Sequence, residues 1–149
     1  MLYKVFSFPL FNLFSHDYFY FIFNCLVTLV DAAAGLWDHL GLSKEEVFRV
    51  HIAAILHDVG KLGIRESILN KPGGLSDDEF EIMRQHPSIG AQIMSPIRML
   101  KDIIPGIRNH HETWDGKGYP DGLEGEEIPF LARILSVADV YDSMASGRT

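Results

Sequence analysis

The 149 residues suit one domain and are too few for two ordinary ones. Thirteen Lys and Arg against 20 Asp and Glu leave a net charge of -7, so no basic surface exists to hold a nucleic-acid backbone by counterion release, and DNA or RNA duplex binding is not expected. The one cysteine, Cys25, excludes an internal disulfide framework and a zinc-finger set, which leaves His, Asp and Glu as metal ligands and agrees with a reducing, cytoplasmic setting.

Residues 1–30 differ from the rest of the chain. They hold seven of the ten Phe and three of the five Tyr, and their charged side chains are Lys4 and Asp17. Val5 to Phe14 and Tyr18 to Val30 are apolar runs of 10 and 13 residues, both shorter than the ~20 that span a bilayer as a helix. The segment 1–30 is therefore set apart as an atypical, Phe-rich N-terminal stretch. Its plain reading is a buried or interfacial helix; membrane association through residues 5–30, or an origin outside the domain, are the alternatives.

From Leu26 onward, Leu26, Leu29, Val30, Ala33, Leu36, Trp37 and Leu40 recur at helical steps, and Gly41 ends the predicted helix. Ser43 with Glu46 forms a capping box for a second helix, with Val47, Val50, Ala54 and His57 along one stripe and an end near Gly60. Lys61 to Leu75 reads as a connection. Ser76 and Glu79 cap the next helix before Phe80 and Met83, and Pro87 is expected to break the following stretch into a short helix carrying Ile89, Ile93 and Met94. An apolar helix with Met99, Leu100, Ile103, Ile104 and Ile107 leads into His110 and His111. Trp114 to Glu126, with four glycines and a proline, is a loop, and Pro129 is placed as the first residue of a last helix towards Ala145. No segment alternates as a strand, so the fold class is all-α, a single helical-bundle domain over residues 31–149.

The polar residues on these apolar helices carry the chemistry. His57 and Asp58 close one helix, where a charge is costly without a partner and a bound cation would supply one. His110 and His111 follow another, and Asp139 lies on a third, which suggests convergence on one interior site. Imidazoles and carboxylates without thiolates suit divalent Mn, Fe, Zn or Ni, and a carboxylate can bridge two ions. Singly, a histidine at a helix end is more often a satisfied side chain or a favourable charge on the helix C-terminus. His57 alone reads that way, His16, His39 and His51 are assigned to structure, and His86 gains weight only from its company.

Together these positions resemble the HD superfamily of metal-dependent phosphohydrolases, and more narrowly the HD-GYP family. His57-Asp58-Val59-Gly60-Lys61 matches the HDxGK signature, and His110 to Pro120 matches HHExxDGxGYP at every defined position. The similarity runs from about Leu36 to Arg148. It implies an HD-type helical bundle with a Gly-rich GYP loop, acting as a phosphodiesterase that hydrolyses cyclic di-GMP to linear pGpG, and in some members to GMP, through a hydroxide held between two metals. It further implies His57, Asp58, His86, His110, His111 and Asp139 as metal ligands, with Asp58 the bridge. Lys61 would contact the substrate phosphate, so Asp58 and Lys61 are the expected catalytic residues. Arg148, Gly118, Tyr119 and Pro120 fall on the substrate side, where Tyr119 offers an aromatic face to a base or to a partner protein. The implied cofactors are two divalent transition ions, Fe or Mn, with Ni, Zn or Mg as alternatives. Their charge would offset the repulsion between an acidic protein and a dianionic substrate.

The sequence departs from the family in three places. Cys25 stands 32 residues before His57, where the family keeps its first metal-ligating histidine, and in so apolar a stretch an inert buried thiol is expected in preference to a thiolate ligand. Phe21 replaces the carboxylate that holds a third ion in some members, so two ions are expected. The chain ends at Thr149, where the family continues through a basic segment and further helices, so a C-terminally incomplete domain is expected. The alternative function is a degenerate or truncated module that binds metal, nucleotide or a signalling partner without turnover.

Overall fold

A computed structural model describes residues 41–145. The helix expected from Leu26 to Leu40, the segment 1–30 with Phe21 and Cys25, and Arg148 lie outside the described residues. Helix α1 (Lys44–Leu56) begins where its sequence signal lies: Glu46 N–H donates to Ser43 Oγ at 3.3 Å, and Ser43 N–H donates to the Glu46 carboxylate at 2.8 Å. It stops at Leu56, short of Gly60, because the chain tightens into a 3-10 turn over Val59–Gly63. That turn rests directly on the backbone of α4 (His86–Met94). A Cβ on Gly60 would stand 1.8 Å from the His86 carbonyl oxygen, so only glycine permits the approach.

The stretch read as a connection from Lys61 to Leu75 contains the end of this turn and a one-turn helix, α2 (Glu66–Leu69), which the buried side chains of Ile64 and Ile68 hold down. Its Gly and Pro content masked those local bonds. Helix α3 (Asp77–Met83) opens on the second capping box, with Glu79 N–H to Ser76 Oγ at 3.3 Å and Ser76 N–H to Glu79 at 2.7 Å. The stretch breaks as expected at Arg84 and Gln85, and Pro87 sits buried in the first turn of the short helix α4, where a missing N–H costs no helical bond. The apolar stretch before His110 divides into a 3-10 turn (Arg98–Leu100) and α5 (Ile104–Asn109), leaving Met99 93% exposed and outside the core. Helix α6 (Phe130–Ala145) starts one position later than expected: Pro129 precedes it, and its carbonyl accepts from Arg133 N–H at 3.1 Å.

Among the described residues there is no strand, only an isolated antiparallel bridge between Asp115 and Glu124. The core consists of Ala53, Ala54, Met94, Ile103, Ile107 and Leu135, with Leu56, Val59, Leu131 and Ala138 packed against it. Full burial of Ile107 and Leu135 stabilises the fold by about 1.5–3 kcal/mol each. Helix α5 packs on α4 and α6, and α1 on α5 and α6. The packing brings the end of α1, the start of α4 and the end of α5 to one place. No helix among the described residues is long and apolar enough to cross a membrane.

Candidate metal centre

His57 follows α1, His86 opens α4 and His110 follows α5. Each points its Nδ1 at the backbone carbonyl three residues earlier: Ala54 at 2.7 Å, Met83 at 2.8 Å and Ile107 at 2.7 Å. A carbonyl only accepts, so Nδ1 carries the proton and a neutral ring presents a bare lone pair at Nε2. These lone pairs converge. His86 Nε2 and His110 Nε2 are 3.4 Å apart, a repulsive approach unless a proton or cation lies between them. His57 Nε2 is buried and forms no hydrogen bond, with Asp58 Oδ2 3.4 Å away.

Asp58 turns one oxygen to each side. Its Oδ1 is 3.2 Å from His86 Nε2, while Oδ2 faces His57 and also accepts from Lys61 Nζ at 2.6 Å. The ligand atoms of His86, His110 and His111 lie within 4.8 Å of one another, as do those of His57, Asp58 and His110. One lone pair serves one ion, so His110 can belong to only one group at a time, whereas Asp58 has an oxygen for each. Asp139 is in neither group; on α6, its charge acts on His57 and Tyr119. His51, half-buried on α1, is likewise in neither.

Protonation favours cation binding. Burial, reinforced by His111 and His57, holds His110 well below the ordinary histidine range, and burial with His86 pushes His111 down to about 3. Both rings are neutral at pH 7. Burial pushes the Asp58 carboxyl up, but His57, His86 and Lys61 outweigh it and hold the group well below the usual carboxylate range. Burial pushes His57 down, and the Asp58 charge more than reverses this, so its pKa is raised. The donor set therefore fits a divalent ion: fixed imidazole tautomers, an orphaned buried Nε2 and an ionised carboxylate. An ion binding at His57 Nε2 would compete with a proton there.

The glycine-rich loop is stapled beside these side chains by residues the sequence reading left without a role. The buried Glu112 carboxylate accepts from the backbone N–H groups of Asp121, Gly122 and Leu123 at 2.7, 3.1 and 3.0 Å. Arg108 grips Asp121 with two bonds of 2.8 and 2.7 Å, and Asn109 adds a third at 2.8 Å. The one available signal was an acidic residue directly after two histidines and before a loop rich in unpaired N–H groups. Gly118 lies against the backbone of the ligand segment: a Cβ there would be 2.4 Å from Glu112 Cα. Tyr119 stacks on His111 with centroids 4.8 Å apart, and the partly buried Pro120 follows through a cis bond. Burial pushes the Tyr119 hydroxyl up to about 12, so it stays a phenol.

Residues 19–149 match the HD domain family, starting within the segment that composition sets apart. The chain is 49% identical over 113 residues to the cyclic di-GMP phosphodiesterase response regulator RpfG of Xanthomonas campestris, covering 74% of this chain and 30% of that protein. It is 41% identical over 111 residues to 3'3'-cGAMP-specific phosphodiesterase 2 of Vibrio cholerae, covering 73% and 21%. Among solved structures, an HDG"Y"P protein from Bdellovibrio bacteriovorus superposes with a TM-score of 0.66 at 26% identity, covering 81% of this chain and 40% of that one. The chain thus spans less than a third of the length of these two curated relatives.

Proposed function

The chain belongs to the HD domain family, and from that premise we propose that it is a metal-dependent phosphodiesterase hydrolysing cyclic di-GMP to linear pGpG. The observation that carries this reading is the convergence of His57, His86 and His110 Nε2 on the two oxygens of Asp58, each ring locked by its own backbone carbonyl. His57, Asp58, His86, His110, His111 and Asp139 would hold two divalent ions, Fe or Mn, with Asp58 shared between them. Ions bound there supply a nucleophile derived from water at neutral pH and positive charge for the phosphoryl group.

The chain's own groups do the rest. Lys61, its side chain 20% exposed beside Asp58, places an ammonium where a phosphate oxygen can reach it. The buried rings of His57, His86 and His110 exclude bulk water from the inner face of the site and strengthen every charge interaction in it. The names of the two curated relatives support a cyclic dinucleotide as substrate. One sequence feature favours the second reading, a module that binds without turnover: Cys25 stands where the resemblance places a histidine ligand.

The test is to load the full chain anaerobically with Mn or Fe, offer cyclic di-GMP and 3'3'-cGAMP separately, and resolve the products. Metal-dependent conversion of cyclic di-GMP to pGpG, abolished by a chelator, is the expected result. Preferred cleavage of 3'3'-cGAMP would change the substrate. Metal uptake with neither nucleotide cleaved would select the non-catalytic module.

A further inference from the structure

His111 is held differently from the other three histidines of the site. His57, His86 and His110 are 5%, 1% and 1% exposed, and each is locked by a backbone carbonyl. The His111 ring is half-buried and has no such carbonyl among the described residues. Against it lies the ring of Tyr119, nearly parallel at 26° and 4.8 Å between centroids. The two residues are also joined along the backbone, where Tyr119 N–H donates to the His111 carbonyl at 3.2 Å. This approach depends on Gly118, since a Cβ there would stand 2.6 Å from that same carbonyl oxygen.

Tyr119 is itself held from α3. The Arg84 guanidinium, at the end of that helix, lies 4.8 Å from the Tyr119 ring centroid and 5.9 Å from that of Phe80. Phe80 meets Tyr119 edge-on at 6.5 Å. A cation over a ring face and an edge against it both restrain the ring's swing. Arg84 is in turn fixed by an ion pair with Glu81 at 2.8 Å.

We propose that Tyr119 is the positioning residue for the ligand His111, orienting its ring by stacking as the backbone carbonyls orient the other three, and that Arg84 is the clamp that holds Tyr119 in place. The proposal rests on the metal-centre reading and goes beyond it. It gives Tyr119 a task distinct from that of a platform for a substrate base, and it gives α3, which contributes no ligand, a part in the site. Metal ligands are oriented by a second layer of groups whose loss costs affinity; here that group is a ring face and a cation.

The experiment titrates cobalt(II) into the full chain, reading affinity and the visible spectrum, in parallel with His111→Ala. Tyr119→Leu is expected to weaken one cobalt ion by about 10-fold and to shift its spectrum. Tyr119→Phe keeps the ring face and should leave both unchanged. Removing the charge in Arg84→Met should cost about 3-fold, with Arg84→Lys restoring most of it. Arg84 is partly exposed, so its variants keep the test decisive should Tyr119→Leu unfold. If His111→Ala weakens binding while Tyr119→Leu and Arg84→Met match the parent, the positioning role is overturned and the metal centre stands. A loss in Tyr119→Phe as large as in Tyr119→Leu also overturns it, since the hydroxyl would then be the active part. A parent chain that takes up no cobalt overturns the metal centre and this inference together.

Discussion

His57, His86 and His110 are held by their own stretches of backbone, each through a carbonyl three residues upstream, whereas the loop that follows them is held by side chains reaching across it. Glu112 gathers three N–H groups of residues 121–123, and Arg108 and Asn109 grip Asp121. The first arrangement is local and forms whenever the helix ends form. The second closes only when α5 and the loop meet, so single side chains decide it. The ligand shell should therefore fail through its charges, and the loop through its staples.

The largest effect is expected at Asp58. Asp58→Ala removes the ionised carboxylate that faces His57, His86 and Lys61, and metal affinity should fall by about 100-fold or more, with hydrolysis lost alongside. Lys61→Ala should keep its metal and lose turnover. Elemental analysis beside a hydrolysis assay checks both, and equal metal loss in the two variants would reassign Lys61 to the ligand shell.

Acid should act on the shell and spare the loop. His57 must release its proton to bind an ion, and its pKa lies above the ordinary value. His110 and His111 lie below theirs and are already neutral. Affinity for Mn should therefore fall as pH falls through the raised His57 value, approaching about 10-fold per pH unit for the one proton displaced. Manganese titrations over a pH series check this; affinity that rises as pH falls would contradict the assigned His57 protonation.

A smaller and local effect is expected at the loop. Glu112→Gln exchanges charge-assisted bonds to three N–H groups for weaker ones and brings an amide donor against them, which should cost about 1.5–3 kcal/mol. Hydrogen exchange should quicken at Asp121, Gly122 and Leu123 while the amides of α1 keep their protection. Equal loosening in both would mean that shell and loop are one cooperative unit.

The same contrast governs what could be read from the chain. Both capping boxes were legible because Ser43 with Glu46 and Ser76 with Glu79 act over three residues. The pairs His57-Asp58 and His110-His111 stood out as candidates because polar groups at the ends of apolar helices are conspicuous, and the fold brings them together. The short helix at Pro87 was legible too, because a proline interrupts one helix and is tolerated in the first turn of the next. Glu112 and Arg84 escaped notice. Their partners, residues 121–123 and Tyr119, are brought to them by the fold and lie beyond any helical period.

Metal uptake by the full chain tests the central claim most directly. Elemental analysis after anaerobic purification in the presence of Mn or Fe should find up to two divalent ions per chain in the parent and a marked loss in Asp58→Ala. A parent chain that remains metal-free when offered either ion would contradict the account, because the lone pairs of His57, His86 and His110 would then converge for no cation.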